Sequence, residues 1–344
     1  MPDKRPPEIR LSEWHVRPAR ADDLDALSEL AGLTGGGFTN LPANRDALEA
    51  RLNRSLASLA RPVESPGDEL YLLVLEHRPT GRVRGTAAVF GSVGCSAPFY
   101  SYKITSITLH SRELDRNFRT RVLHLVNDFD GASEVGGLFL HPDVRTGGLG
   151  RLLARSRYLF IGRHRQRFAD RCLAELRGVI LPDGTSPFWD GLAGRFFGMS
   201  FVQADHFNGV HGNQFIADLM PKYPVYAALL SESAVEVMGI EHPDGRAARR
   251  LLEAEGFRFN NYIDIFDGGP TMDIETDRIR TLAEARAAPA RLVHAADGPM
   301  ALIAAGTLAD FRAMAGPCLP SGAGAIISRD TGISEGAEVL HAPF

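Results

Sequence analysis

The sequence predicts an α/β (α+β) fold, a mixed, mainly antiparallel sheet flanked by helices, with a small strand-bearing appendage at the C-terminus. Three observations predict it. A strand, two helices and a hairpin succeed one another between residues 14 and 90. An apolar strand at 135–140 runs straight into a glycine-rich turn and a helix. After Gly268-Gly269-Pro270 the composition shifts to alanine, glycine and short apolar stretches.

Residues 1–13 are charged and proline-rich and read as a flexible tail, 14–275 as the main domain and 276–344 as the appendage. Trp14 to Pro18 is a strand. Asp22 and Asp23 then suit a helix start, with Leu24, Leu27, Leu30 and Ala31 at helical spacing. Gly35-Gly36-Gly37 ends that helix. Leu48, Leu52, Leu56 and Leu59 mark a second one. Tyr71 to Leu75 and Val83 to Phe90 flank the turn Arg78-Pro79-Thr80-Gly81 as a hairpin. Tyr100 to Leu109 is a further strand, and 110–133 reads as connection with one short strand at Val122–Val126. Beyond the glycine turn come a helix at 151–163, a strand at 172–177 and a helix at 187–198. A helix capped by Asp244 ends at Gly256, and a strand from Phe257 to Phe266 follows. Met300–Ala305 and Ala325–Ser328 are the strand candidates of the appendage.

Composition excludes several classes. The chain has 344 residues, 44% hydrophobic and 23% charged, which is globular rather than disordered. Its 38 Lys and Arg against 42 Asp and Glu give a net charge of −4, without the basic surplus of a general nucleic-acid binder. It holds no apolar run of the ~18 residues a membrane helix needs. Its three cysteines, Cys95, Cys172 and Cys318, lack metal or disulfide spacing. A soluble cytoplasmic enzyme without a permanently bound cofactor or metal is expected. The stretch Asp205-His206-x4-His211 has metal-like residue types, but its helical regularity is poor and no further ligand lies in sequence reach. Phe188, Trp189, Phe196 and Phe197 read as core.

The most informative stretch is Leu138-Phe139-Leu140-His141-Pro142-Asp143-Val144-Arg145-Thr146-Gly147-Gly148-Leu149-Gly150. Successive amide groups at a strand-to-helix turn, reinforced by the helix dipole, make a seat for a phosphate or diphosphate. A dinucleotide fingerprint fails because Leu153 occupies its third glycine position, and a P-loop fails because no Gly-Lys-Ser/Thr follows. Glycines that merely permit a tight turn are the plain alternative. Arg145-x-x-Gly148-x-Gly150 after an apolar strand resembles the acyl-CoA diphosphate loop of the GNAT N-acyltransferases. That likeness implies that the preceding strand offers an N–H to the thioester carbonyl.

Further stretches extend the likeness. Leu33-Thr-Gly-Gly-Gly-Phe-Thr-Asn-Leu-Pro42, Pro98-Phe-Tyr-Ser-Tyr102, Ser186-Pro-Phe-Trp189, Arg195-Phe-Phe197, Phe215-Ile-Ala-Asp-Leu-Met-Pro221 and Tyr262-Ile-Asp-Ile-Phe-Asp-Gly-Gly-Pro270 resemble the arginine N-succinyltransferases over roughly 14–275. The resemblance implies transfer of succinyl from succinyl-CoA to the α-amine of L-arginine in arginine catabolism. It implies that Leu138 contacts succinyl-CoA and that His242 is the proton donor. Two departures are His141, where the family has Asp, and Thr108-Leu-His-Ser111, where its histidine is displaced by one position. Ornithine or another basic amine as acceptor, and a catalytically silent acyl-CoA-binding subunit, are the rival functions. A homo-oligomer, or pairing with a related subunit, is the assembly expected.

Chemistry adds its own requirements. The guanidinium stays charged, so the α-amine is the nucleophile. A histidine before a helix start has its imidazolium disfavoured by the dipole, which suits His242 to giving up a proton; an exposed turn histidine is the plain reading of the same position. Asp264 and Asp267 are candidates for the guanidinium, although strand alternation turns only one of them inward and strand-edge solvation suits either. Thr39 and Asn40, between the first two helices, are candidate acceptor contacts or simply part of a helix-ending turn.

Overall fold

The structure, a computed structural model, describes residues 9–34, 40–211 and 214–344; Gly35, Gly36, Gly37 and Thr39 lie outside that set. Residues 11–13, read from sequence as tail, form a 3-10 turn that leads into β1 (Trp14–Pro18), which is buried along its whole length. α1 (Leu24–Gly32) and α2 (Arg45–Ala60) follow. Asn44 caps α2 by accepting the Ala47 N–H at 2.9 Å. Asp23 does not cap α1. Its carboxylate takes the buried Arg17 guanidinium at 2.6 and 2.9 Å and the Arg20 N–H at 2.7 Å. A buried cation needs that counter-ion more than the helix needs a cap.

β2 (Leu70–His77) and β3 (Arg82–Phe90) form the expected hairpin. β4 (Ser101–Ser111) and β5 (Arg116–Val126) form a second, longer one, so most of the stretch read as connection is strand. Its outer half is exposed on both faces, so no apolar alternation announces it. β6 (Ser133–Leu140), α3 (Leu149–Arg163) and β7 (Arg171–Glu175) frame the glycine turn. The single helix expected at 187–198 is two, α4 (Pro187–Gly191) and α5 (Gly194–Phe197), because Leu192 leaves helical geometry at φ −131° and ψ −83°. Phe188 and Trp189 are core, whereas Phe196 is exposed.

α6 (Phe201–His211) and α7 (Gln214–Leu219) carry the Asp205-His206 stretch. The His211 side chain lies outside the described residues, among which no group of three His, Cys, Asp or Glu is arranged to hold a metal. β8 (Val225–Tyr226), α8 (Glu232–Val237) and α9 (Arg246–Ala254) come next, and α9 closes at Gly256 with φ +98°. Asp244 lies within a 3-10 turn, Pro243–Gly245, that leads into α9, and its own N–H is what gets capped. β9 (Arg258–Asp264), β10 (Pro270–Glu275) and α10 (Arg280–Glu284) complete this part. β9 stops at Asp264 because Oδ1 accepts the N–H groups of Phe266 and Asp267 and turns the chain. Strand alternation therefore does not govern Asp267.

The sheet order through the main body is β1-β2-β3-β6-β7-β10-β9-β4-β5-β8, antiparallel except for β6 beside β7. α1 and α2 cover one face, through Leu27, Leu30, Leu48 and Leu52 against Leu70, Leu72 and Val74. α3 and α9 cover the other, through Leu152, Leu159 and Leu252 against Leu73, Val135 and Cys172. The C-terminal strands are β11 (Arg286–Val293), β12 (Met300–Ala305), β13 (Arg312–Ser321), β14 (Gly324–Ser328) and β15 (Glu338–Pro343). They close into a barrel, β12-β15-β11-β14-β13 and back to β12, which leaves no free edge. β13 pairs with β1 at Val16 and Ala313, and Leu302, Phe311 and Ala342 join the core under α3. The barrel is thus built into the main body rather than hung from it.

Candidate active site

The parallel strands β6 and β7 pair only at Ser133 with Cys172 and Glu134 with Leu173, then diverge. A bulge in β6 sets the divergence. Thr86 faces Phe139 and Ala88 faces Gly136, so β6 carries one residue more than β3, and Gly137 absorbs it at φ +57°. Beyond the bulge the His141 N–H donates to the Arg84 carbonyl at 2.8 Å, which puts Phe139 in register with Thr86. Alternation therefore turns the N–H groups of Leu138 and Leu140 away from β3, into the gap. The Leu140 carbonyl on that side accepts Arg145 Nε at 3.1 Å. Leu138 and Leu140 pack on the α3 side, and Phe139 on the α1–α2 side beneath the Arg145 guanidinium.

At the mouth of the gap, Gly147 (φ +65°) and Gly148 (φ +85°) make a left-handed turn that β-carbon-bearing residues resist. Gly148 is the N-cap of α3 and offers no capping side chain. Among the described residues the amides of Gly147, Gly148, Gly150 and Arg151 have no hydrogen-bond acceptor, while that of Leu149 reaches Thr146 only at 3.4 Å. The first turn of α3 contains no acid and carries Arg151 instead. A cation at a helix N-terminus opposes the dipole unless an anion joins it.

β7 continues past Glu175 as an irregular strand. The His242 N–H donates to the Arg177 carbonyl at 2.7 Å, and Gly178 bridges Glu241. His242 Nδ1 accepts the Asp244 N–H at 3.2 Å, which leaves the ring proton of the neutral form on Nε2. Burial, then the Arg177 charge, holds its pKa below 6.5. The lowering expected from sequence is present, with burial rather than the dipole as its first cause. His141 makes the same His-Pro-Asp turn, with Nδ1 accepting the Asp143 N–H at 3.3 Å, and its Nε2 lies 3.6 Å from Glu29.

On the α1–α2 side, Asn40 Nδ2 donates to Glu134 Oε1 at 3.1 Å. Burial pushes the Glu134 carboxyl up to about 6, although Asn40 and Arg51 pull it down. Glu175 lies on the opposite arm. Burial raises it well above the usual carboxylate range, and the charges of Asp264, Glu134 and Asp267 add to that. Its Oε1 is buried without a hydrogen-bond partner, as are Arg177 Nε and Thr271 Oγ1. Asp264 and Asp267 are both held by main chain. Asp264 closes the turn that ends β9, and Asp267 accepts Gly178 N–H at 2.7 Å and Gly269 N–H at 2.8 Å. Neither carboxylate hangs free for a guanidinium. Sequence reasoning did not single out Glu134 or Glu175 for the acceptor. The available signal was a carboxylate directly beside an apolar run, Glu134 before Val135 and Glu175 after Cys172-Leu-Ala174.

A free strand edge facing a gap, with bare helix amides at its mouth, suits a long ligand that is anionic at one end and reactive at the other. That combination suits a transferase that takes its acyl group from a long anionic thioester, and the chain is an acyltransferase, as the family it matches shows. Residues 14–281 match the family described as arginine N-succinyltransferase beta subunit. An arginine N-succinyltransferase of Enterobacter sp. (strain 638) is 42% identical, over 87% of this chain and 87% of that protein. Another from Escherichia coli O139:H28 is 44% identical, over 82% of this chain and 80% of its own. The arginine/ornithine succinyltransferase subunit AI of Pseudomonas aeruginosa superposes with a TM-score of 0.87 at 33% identity, covering 96% of this chain and 98% of that one. The chain belongs to the arginine N-succinyltransferase family.

Proposed function

We propose that this chain moves the succinyl group of succinyl-CoA to the α-amine of L-arginine, with the CoA diphosphate on the turn Arg145–Gly150 and the thioester in the gap between β6 and β7. What supports the reading is the register of β6, which by alternation turns the Leu138 N–H away from β3 and toward the gap where β6 and β7 part. There that N–H can stabilise the negative charge that develops on the thioester oxygen. The neutral amine attacks the carbonyl carbon, the C–S bond breaks, and sulfur leaves as a thiolate. A thiol has a pKa of about 8.5, so protonated His242, held below 6.5, transfers its proton downhill from Nε2. The proton released by the amine restores the balance.

The acceptor enters from the α1–α2 side, where Asn40 lines the approach; Thr39, expected from sequence as a contact, lies outside the described residues. Glu134 and Glu175 are both buried carboxyls, and the charges of Asp264, Glu134 and Asp267 all act against the ionised form of Glu175. An incoming cation relieves that repulsion. Asp264 and Asp267 contribute charge and hold the turn behind Glu175. A second acceptor, ornithine, is supported by the likeness to the Pseudomonas aeruginosa arginine/ornithine succinyltransferase, and pairing with a related subunit by that relative's being a subunit itself. A cytoplasmic setting suits three unpaired cysteines. Thiol release from succinyl-CoA and from acetyl-CoA, each with arginine and with ornithine, tests the reading. Tight succinyl-CoA binding with no release by either amine would leave a binding subunit instead.

A further inference from the structure

Phe344 rests on the glycine turn. A methyl group at Gly148 would lie 3.5 Å from Cε1 and Cζ of Phe344, and 3.6 Å from Leu11 Cδ1. One at Gly147 would lie 3.0 Å from Ile9 Cγ2. The Arg151 guanidinium stands over the Phe344 ring, 5.2 Å from its centroid. Phe344 is itself anchored, since its N–H donates to the Met300 carbonyl at 3.0 Å as β15 leaves the barrel. Its ring packs against the same core as Leu138, Leu140 and Leu11.

We propose that Phe344 is a positioning residue for acyl-CoA, and that the C-terminal barrel serves to deliver it to the turn. Two left-handed glycines in succession are free to swing, because neither carries a side chain to lock it. Amides that must point together at a diphosphate lose affinity if they wander, since ordering them on binding costs entropy. The ring closes the back of the turn at Gly148. It also holds Arg151, the cation of the first helical turn, by contact with its face. Phe344 thus acts through Gly148 and Arg151, without touching the reacting atoms. The inference rests on the reading of this turn as the diphosphate seat.

Calorimetric titration of the full chain with CoA and with pantetheine, which lacks the diphosphate, separates the two ideas. Wild type should bind CoA far more tightly. Phe344→Ala should weaken CoA about three- to tenfold, the worth of one aromatic contact. Pantetheine affinity should stay put, the KM for acyl-CoA should rise while that for arginine holds, and Phe344→Tyr should restore CoA binding. CoA affinity that stays at the wild-type value in Phe344→Ala overturns the inference alone. So does a loss shared equally by CoA and arginine, or one that Phe344→Tyr fails to recover in a protein of wild-type melting temperature. If wild type binds CoA and pantetheine alike, the reading of the turn falls and takes this inference with it.

Discussion

The N–H of His242 donates to the carbonyl of Arg177 at 2.7 Å, which ties the histidine's loop to the strand that forms one wall of the gap. The opposite wall carries Leu138. Main-chain bonds, rather than side-chain packing, thus hold His242 and Leu138, the proposed proton donor and oxyanion donor, on the two arms of one splay. Replacing His242 by Ala should leave this scaffold intact and slow turnover about 10²- to 10⁴-fold. Steady-state rates with both substrates saturating measure it. A rate within a few-fold of wild type would remove the ring from the mechanism.

Arg177 supplies the second cause of the low His242 pKa, after burial. A cation nearby disfavours the imidazolium, so Arg177→Gln should raise the His242 pKa toward 6.5 without reaching it, because burial remains. Titration of the ring by NMR in the free enzyme reads this directly. A downward move, or none, would show that the Arg177 charge does not reach the ring.

Glu175 is a buried carboxyl without a hydrogen-bond partner on Oε1, and on the proposed function the acceptor's cation would supply one. Its folded pKa lies above that of the unfolded chain, so the folded state binds the extra proton. Its ionisation therefore erodes stability as pH climbs from the ordinary carboxylate value of about 4.3 through the raised one. Glu175→Gln should melt about 2 °C higher at pH 7, a gain on the order of 1 kcal/mol, and lose that gain below about pH 4. The same variant should raise the KM for arginine about tenfold or more, as one charge-assisted contact is lost. Wild type should release a proton on binding arginine, seen as a dependence of the calorimetric heat on buffer ionisation. An unchanged arginine KM would move the acceptor's cation elsewhere.

Much of this was legible in the chain. β6, its turn and α3 were, because an apolar run, two adjacent glycines and a leucine-bearing helix leave few other arrangements. Leu138 and Gly148 stand where that pattern predicts. β5 was not, because an arm exposed on both faces has no apolar period to detect. The bulge at Gly137 was hidden in a Gly-Gly pair that fits a plain strand equally well. Asp264 and Asp267 have the right chemistry for a guanidinium, but side-chain-to-backbone bonds claimed them first, a competition local sequence cannot weigh. The contact of Phe344 with Gly148 joins one end of the chain to its middle, and no local signal carries it.

Gly150 and Gly148 separate steric room for folding from steric room for a ligand. A methyl group at Gly150 would meet Leu140 Cδ1 at 3.4 Å, ordinary contact, inside a helix where Ala is preferred over Gly by about 1 kcal/mol. Gly150→Ala should therefore fold as well as wild type or better. If a diphosphate must approach that backbone closely, the same methyl group should weaken CoA binding about tenfold or more while sparing arginine. Gly148→Ala differs, since at φ +85° any side chain is strained by roughly 1–2 kcal/mol, although its methyl group would meet Phe344 only at ordinary contact distance. It should lose both stability and CoA affinity. Thermal melts and CoA titrations of the two variants side by side decide the point. A Gly150→Ala protein that binds CoA as tightly as wild type would mean that no ligand approaches the first turn of α3.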